Sequence, residues 1–202
     1  MLSWLLLGGK CRNCHQNISW LYPFIEIFTA IVLSILYITV PINYFFAYFI
    51  FFSALIVTIR SDIETMLISR FVTIFLVPLG CFLSAYGLLP LSLRESISGA
   101  MFGYFFLFSI NYIFKSFRNQ NGIGEGDFDL MLFIGSFTGI LGCWISITLG
   151  SLIGSLYGIS TILLSQNDSF QNTKIPFGPF LAFGALLFVL AHKQILFQLS
   201  LA

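Results

Sequence analysis

Long apolar runs separated by short polar segments dominate the chain. Seven stretches are almost continuously apolar, at about 22–40, 43–60, 71–89, 96–114, 129–144, 146–165 and 177–197. Several of them approach the roughly 20 residues that an α-helix needs to cross a bilayer. A transmembrane barrel would instead alternate apolar and polar residues. The pattern therefore predicts an all-α polytopic membrane protein with about seven transmembrane helices.

The fifth and sixth stretches are nearly continuous, and we expect the chain to turn between them around Gly142. Within the sixth stretch, Gly150, Gly154 and Gly158 recur every four residues and share one helix face. Small residues at this spacing favour close helix packing rather than chemistry. We predict two parts overall: a cysteine-containing cytoplasmic segment over 1–20 and a transmembrane domain over 21–202.

Composition supports a membrane location. Of the 202 residues, 58% are hydrophobic and only 8% are charged, whereas a soluble domain usually carries about 25% charged residues. The predicted partner of most of the surface is therefore the lipid bilayer. The sequence has no basic cluster of the kind that would indicate binding of nucleic acid.

Lysine and arginine are distributed unevenly between the predicted loops. The N-terminal segment and the loops near 61–70, 115–128 and 166–176 lie on one side, and they carry Lys10, Arg12, Arg60, Arg70, Lys115, Arg118 and Lys174. The other side has only Arg94 and Lys193. Because positive loops stay in the cytoplasm, we expect a cytoplasmic N-terminus. Most acidic residues fall on this same side, namely Asp62, Glu64, Glu125, Asp127, Asp129 and Asp168.

Two of these carboxylates lie at the ends of different apolar runs. Asp62 closes the second run, and Asp127 opens the fifth. Two carboxylates held close in a partly dry site cannot both ionise easily, so they share a proton. Such a pair can activate a water with one member and protonate a leaving amine with the other. The alternative is that both are solvated interfacial residues, with Asp127 capping the helix that follows it.

Glycines surround the second carboxylate in "GIGEGDFDL". Gly122, Gly124 and Gly126 allow another backbone to approach closely, as a peptide substrate would. A glycine-rich phosphate cradle is the rival interpretation, but no Walker lysine follows and the loop is acidic. Asp129 competes with Asp127 as the reacting acid: the two side chains point the same way in an extended loop, and about 200° apart at a helix start.

A second polar segment, "NTKIPFGPF", precedes the last run. Pro176 and Pro179 disfavour a regular helix there, and Gly178 permits a tight turn. A plain loop before the last helix is the simpler interpretation of Pro176, Phe177, Gly178 and Pro179.

Two of the four cysteines form a CxxC pair. Cys11 and Cys14 have the spacing of zinc ligands, but a structural zinc needs four, and His15 is too close in sequence to be a good third. Dimerisation would bring two such pairs together in a homodimer. Cys81 and Cys143 lie inside apolar runs and are expected to be packing residues.

Together these segments resemble the prepilin peptidases, also called type IV leader peptidases. Four blocks match the family in order: "LLLGGKCRNCHQNISWLYPFIEIFTA", "SDIETMLISR", "GIGEGDFDL" and "IPFGPFLAFGA". The resemblance implies an intramembrane aspartic endopeptidase of the GxGD type with catalytic Asp62 and Asp127. The glycines at 122, 124 and 126 and the segment Pro176, Phe177, Gly178 and Pro179 would shape the peptide cleft.

The resemblance also implies a substrate and a location. The enzyme would cleave the basic leader of a prepilin, pseudopilin or competence pseudopilin, just after a glycine, at the cytoplasmic face of the bacterial cytoplasmic membrane. Proteolysis would need no cofactor. Many family members also N-methylate the product with S-adenosylmethionine, and Glu26 matches a family glutamate.

Three departures from the family pattern stand out. The usual N-terminal helix and first CxxC are not found, so we expect neither the four-cysteine zinc site nor methyl transfer. Ser69 and Arg70 replace a usual Pro and Asp. Asp129 replaces a usual Lys, and this added negative charge is expected to disfavour ionisation of Asp127.

Two other functions fit the same sequence. A small transporter or ion-coupled membrane protein would use the acidic cluster to bind cations, but acidic residues would then recur at the membrane midplane. An inactive, truncated paralogue would act as a partner of an active enzyme.

Overall fold

Helices make up most of the part of the chain that the structure describes. The computed structural model describes residues 4, 7–118, 122–164 and 176–200. Within these ranges the helices are α1 (Leu21–Thr39), α2 (Ile42–Thr65), α3 (Arg70–Ala85), α4 (Leu93–Arg118), α5 (Glu125–Leu164) and α6 (Gly178–Ser200). The same ranges contain no strand, only one isolated bridge between Lys10 and Asn17. The predicted all-α class is confirmed.

Four helical segments are long and apolar enough to cross a membrane: α1, α2, α4 and Glu125–Thr161 of α5. Two shorter apolar helices, Arg70–Ala85 and Gly178–Ala191, accompany them. The prediction of a helical membrane protein is thus confirmed in this form. Many aromatic and aliphatic side chains remain exposed along these helices, as expected of a surface that faces lipid rather than water.

The two helices that carry the candidate acids extend further into predicted loops than the sequence pattern indicates. α2 continues to Thr65 and ends at Met66, which adopts a left-handed conformation (φ 53°, ψ 29°) and donates its N–H to the Asp62 carbonyl at 2.9 Å. α5 begins at Glu125 rather than near residue 129. Both changes have one cause: polar side chains such as the exposed Glu64 and Glu125 are tolerated in the terminal turns of a membrane helix, where they reach water. Asp62 and Asp127 are therefore helical residues.

α5 is broken at Gly139, three residues before the predicted turn at Gly142. Gly139 has φ 69° and ψ −170°, a combination open essentially only to glycine. The two arms then fold back on each other, since the Cys143 thiol lies 3.8 Å from the Met131 carbonyl. A straight helix would separate these residues by about 18 Å. The second arm therefore runs back along the first, which brings residues after Gly139 beside residues before it.

α5 is the centre of the bundle, with contacts to α3, α4 and α6, and its first arm is almost entirely buried. Backbone packs on backbone at α4, because a Cβ on Gly103 would lie 2.5 Å from the Met131 carbonyl oxygen. The Ser96 hydroxyl also donates to the Ser136 carbonyl at 2.7 Å. Gly99 and Gly103 have the four-residue spacing that brings membrane helices close together.

Aromatic stacking sets the register between α2 and α5. The Phe51 and Phe137 rings stack at 5.0 Å, and Phe51 also contacts Phe133 at 5.3 Å. Asp62 lies 11 residues after Phe51, and Asp127 lies 10 residues before Phe137. At 1.5 Å per residue on helices running in opposite directions, both aspartates are about 15 Å from the stack. The hydrophobic core thus brings the two carboxylates to the same end of the bundle.

Candidate active site

A cavity of about 1000 Å³ opens at the end of the bundle that carries the acidic residues. It is built from the end of α2, the loop before α3, both arms of α5 and the start of α6. The segment 122–126, which we call the glycine loop, completes the wall. Its lining residues are Asp62, Met66, Leu67, Ile68, Arg70, Gly122, Ile123, Gly124, Glu125, Gly126, Asp127, Ser151, Gly154, Ser155, Pro176, Phe177 and Phe180.

Asp62 occupies the last turn of α2 and is 5% exposed. Its Oδ2 atom is a buried side-chain oxygen that lacks a hydrogen-bond partner among the described residues. A Cβ added to Gly178 would lie 2.7 Å from this oxygen, so the start of α6 packs directly against the carboxylate. Leaving a buried acceptor unsatisfied costs about 1–3 kcal/mol, which singles out this oxygen as a candidate for chemistry.

Asp127 is the third residue of α5 and is 7% exposed. Its backbone N–H donates to the Gly124 carbonyl at 3.1 Å. Its carboxylate faces back towards Gly124, where an added Cβ would lie 3.3 Å from Oδ2. A carboxylate in the first turn is favoured by the helix dipole, so Asp127 does contribute to the helix start, as the alternative interpretation held. This role leaves the side chain at the cavity wall.

The fold brings both predicted catalytic carboxylates into one cavity from helices that are far apart in sequence. Asp62 and Asp127 both line it, and their charges repel each other. Each is almost fully removed from solvent, so ionising both is costly. An acidic pair that holds one proton between its members can supply both a base and an acid.

Asp129 has a different environment from Asp127. It is 3% exposed, does not line the cavity, and accepts a 2.7 Å hydrogen bond from Nε of Arg70. Two residues apart on a helix, the two side chains leave in different directions, which is the helix-start alternative of the sequence analysis. We expected the negative charge of Asp129 to disfavour ionisation of Asp127; in the structure the Arg70 guanidinium beside Asp129 offsets that charge. Arg70 and Asp129, which both depart from the family pattern, therefore form an ion pair with each other.

The glycine loop is held from α4 as well as from α5. The Asn111 side-chain oxygen accepts hydrogen bonds from the N–H groups of Gly122 (2.9 Å) and Ile123 (3.1 Å). Gly122, Gly124 and Gly126 all line the cavity, as predicted. Asn111 was not predicted to hold this loop, because nothing in the α4 pattern distinguishes it from other polar residues near a helix end.

The four residues of the predicted "PFGP" segment have different surroundings in the structure. Pro176 and Phe177 line the cavity, and Gly178 contacts Asp62. Pro179 is not a lining residue. We expected the prolines to disfavour a helix here, yet α6 begins at Gly178. The reason is that Pro179 lies in the first helical turn, where its missing N–H removes no helical hydrogen bond. The preceding residues, including Lys174 and Asp168, lie outside the described ranges.

Some cavity residues were not predicted from the sequence. Ser151, Gly154 and Ser155 of the second α5 arm line the wall beside the acidic pair. Gly150 does pack closely, with an added Cβ 3.1 Å from the Phe180 backbone. Gly154 also packs closely, with an added Cβ 3.3 Å from the Phe180 ring, and in addition it lines the cavity. The small-residue face at 151, 154 and 155 was the available signal.

The CxxC pair lies in the N-terminal loop, outside the cavity lining. Cys11 is half-buried and Cys14 is exposed. Backbone N–H groups of Cys14 and Asn13 stabilise the thiolate and lower the pKa of the Cys11 thiol. In the described part of the chain, no group of three or more His, Cys, Asp or Glu side chains could hold a metal. Two thiols are half of a four-ligand zinc site, so the described residues do not complete one.

Comparison with known proteins identifies similar sequences. The type IV leader peptidase family matches residues 49–159, and the bacterial peptidase A24 N-terminal domain matches residues 1–40. The prepilin leader peptidase/N-methyltransferase of Aeromonas salmonicida is 34% identical over 184 residues, covering 90% of this chain and 62% of that protein. The protein of the same name from Pseudomonas aeruginosa is 31% identical over 198 residues, covering 96% and 67%.

The chain thus spans about two thirds of the length of these curated relatives, or slightly less. No solved structure matches it significantly.

Proposed function

The chain belongs to the type IV leader peptidase family, and on that premise we propose that it is a membrane-embedded aspartic endopeptidase. Its substrates would be type IV prepilin-like precursors: pilins, pseudopilins or competence pseudopilins. It would remove their basic leader peptide at the cytoplasmic face of a bacterial cytoplasmic membrane. The relatives carry the name of both a peptidase and an N-methyltransferase, and only the peptidase is proposed for this chain.

One observation carries the proposal. Two buried carboxylates, Asp62 and Asp127, reach the same cavity from separate helices, and glycine backbone forms the adjacent wall. A peptide must be in extended form to be cleaved, and wall positions without side chains give such a backbone access to the acids. The cavity of about 1000 Å³ has the size of a site for several residues of peptide.

The acid pair accounts for hydrolysis without a covalent intermediate. The ionised carboxylate accepts a proton from a water molecule, which attacks the scissile carbonyl carbon. The protonated carboxyl donates its proton to the nitrogen of the leaving amine. The pair ends with one proton, as it began, and is ready for another cycle. Leu67, Ile68 and Phe177 supply apolar lining, and the burial of the two acids strengthens these electrostatic interactions.

The proposal is tested by Asp62→Asn and Asp127→Asn in the full-length chain, co-expressed with a type IV prepilin-like precursor. Processing is followed as the loss of the leader on a gel. Each variant should lower cleavage by at least about 100-fold, as expected when a general acid or base is removed, while the protein accumulates in the membrane. Glu64→Gln, at an exposed ion pair with Arg60, is the matched control and should process normally. Normal processing by either Asn variant would reject the proposal.

We also propose that the two arms of α5 cross the membrane separately, which gives seven spans with a cytoplasmic N-terminus. The break at Gly139 and the charge distribution support this topology. Single cysteines introduced at residues 123 and 140, at the two ends of the first arm of α5, should react with a membrane-impermeant maleimide from opposite sides in a cysteine-free chain. Labelling of both from one side would contradict it.

Proteolysis is proposed to need neither zinc nor S-adenosylmethionine, and the cysteine pair to be dispensable for it. Purified protein treated with a strong chelator and supplied with no methyl donor should cleave at the untreated rate. The double variant C11S/C14S should do the same. A chelator-induced loss that added zinc reverses would show that this part of the proposal is wrong.

A further inference from the structure

Arg70 joins two helices beside the acidic pair. It is the first residue of α3, and its Nε atom lies 2.7 Å from Oδ2 of Asp129 on α5. Its Nη1 atom lies 3.5 Å from Oε2 of Glu125, one helical turn before Asp129. The guanidinium therefore contacts two carboxylates on one face of the first turns of α5, the turns that carry Asp127.

The two ends of this ion pair differ in exposure. The Arg70 side chain is 59% exposed, whereas that of Asp129 is only 5% exposed. A carboxylate so removed from water needs a charged or hydrogen-bonding partner, because its desolvation is otherwise uncompensated. By contrast, the Arg60–Glu64 pair has two partners that are both more than a third exposed, and such pairs contribute little. Breaking the Arg70–Asp129 contact would thus leave a buried carboxylate without its charged partner.

The loop that precedes Arg70 packs against the helix start beside each proposed catalytic carboxylate. Ile68 fits against the helix starts on both sides: an added Cβ on Gly126 would lie 2.8 Å from its Cβ, and one on Gly178 would lie 2.9 Å from its Cδ1. Gly126 precedes Asp127 in sequence, and Gly178 contacts Asp62. The loop thus contacts the segments next to both acids, and Arg70 ties it to α5 through Asp129 and Glu125.

We propose that Arg70 and Asp129 are positioning residues for peptide hydrolysis, which hold the 66–69 loop against α5 and so fix Asp127 relative to Asp62. This inference rests on the proposed peptidase function. Neither residue exchanges a proton with the substrate; the pair acts by keeping the acids at their working separation. Misplacing a reacting group by about 1 Å can cost about 100-fold in rate.

The test uses the purified full-length chain in detergent and a synthetic peptide that spans a prepilin leader junction. R70D and D129K should each lower kcat by about 10- to 100-fold while KM changes by less than about threefold, because geometry rather than binding is disturbed. The charge-swapped double variant R70D/D129K restores an attractive pair and should recover kcat to within about threefold of the unmodified chain. Glu64→Gln is the control and should behave as the unmodified chain.

Several outcomes would overturn the inference. One is an unchanged kcat in R70D or D129K, and another is a double variant no faster than the slower single one. If the charge variants do not accumulate, D129N, which leaves no buried charge unpaired, should lose about tenfold in kcat, and an unchanged value rejects the pair. No cleavage by the unmodified chain rejects the peptidase function itself, whereas cleavage that ignores R70D rejects only the positioning role.

Discussion

The α4–α5 interface and the acidic cavity are both rich in glycine, yet these glycines face different neighbours. At the interface, an added Cβ on Gly99 would lie 2.5 Å from the Gly135 carbonyl oxygen, and Gly135 meets the Gly99 backbone in return. At the cavity, added Cβ atoms would meet side chains: the carboxylates of Asp62 and Asp127, and Ile68. Glycine thus permits backbone contact in one region and leaves space beside reactive groups in the other.

This difference predicts that alanine substitutions separate folding from activity. Backbone cannot move aside without separating two helices, so a methyl group at the interface should act on stability. A side chain can rotate or shift by a few tenths of an ångström, so a methyl group at the cavity should act on the geometry of the acids.

The largest effect is expected from Gly135→Ala. Its methyl group would overlap the Gly99 backbone, forcing α4 away from the central arm of α5 and costing about 3 kcal/mol or more. We expect little folded protein in the membrane, measured as monodisperse material after detergent extraction. If Gly135→Ala accumulates and melts as the unmodified chain does, the backbone-contact interpretation of this interface is wrong.

Gly178→Ala should abolish most activity while the protein still folds. The methyl group would lie 2.7 Å from Asp62 Oδ2 and 2.9 Å from Ile68 Cδ1, so the carboxylate must shift. Alanine is otherwise favoured in a helix. We expect kcat for leader-peptide cleavage to fall by about 10- to 100-fold with an unchanged melting temperature. A lower melting temperature with unchanged kcat would show that this glycine belongs with the packing glycines.

Gly139→Ala tests the helix break without adding a steric clash. The nearest atom to an added Cβ is a flexible leucine terminus at 3.3 Å, so the cost comes from the backbone at φ 69° and ψ −170°, about 1–3 kcal/mol. Gly87→Ala is the comparison variant. Gly87 also has φ 69° but has nothing within 4 Å of an added Cβ, so this variant reports the cost of the positive φ without any neighbour. Thermal unfolding in detergent compares the two; a Gly139 variant that is as stable as the unmodified chain would contradict the strained break.

Gly124→Ala should have the smallest effect. An added Cβ would lie 3.3 Å from Asp127 Oδ2, a contact relieved by a small shift of that side chain. We expect kcat to fall by at most about threefold and stability to stay the same, while KM for the peptide rises because the methyl group narrows the open wall. A loss as large as that of Gly178→Ala would mean that the two carboxylates tolerate displacement equally badly.

Much of the site could be read from local sequence patterns. The apolar runs located the helices within a few residues, because a membrane segment must satisfy its own backbone hydrogen bonds and present apolar side chains to lipid. Glycines next to Asp127 indicated an open wall, and they do line the cavity. The C-terminal turn of α2 and the N-terminal turn of α5 were missed, since polar residues in a terminal helical turn resemble loop residues in sequence.

What the sequence by itself determined is the class of protein, the approximate helices and the pair of candidate acids, all properties of short segments. Only the tertiary structure decided that Asp127 faces the cavity while Asp129 pairs with Arg70, 59 residues away. It also decided that Ser151, Gly154 and Ser155 return to the same wall after the break at Gly139. The physical reason is that these contacts depend on helix register, which is set by core packing such as the Phe51–Phe137 stack and has no local signature in the chain.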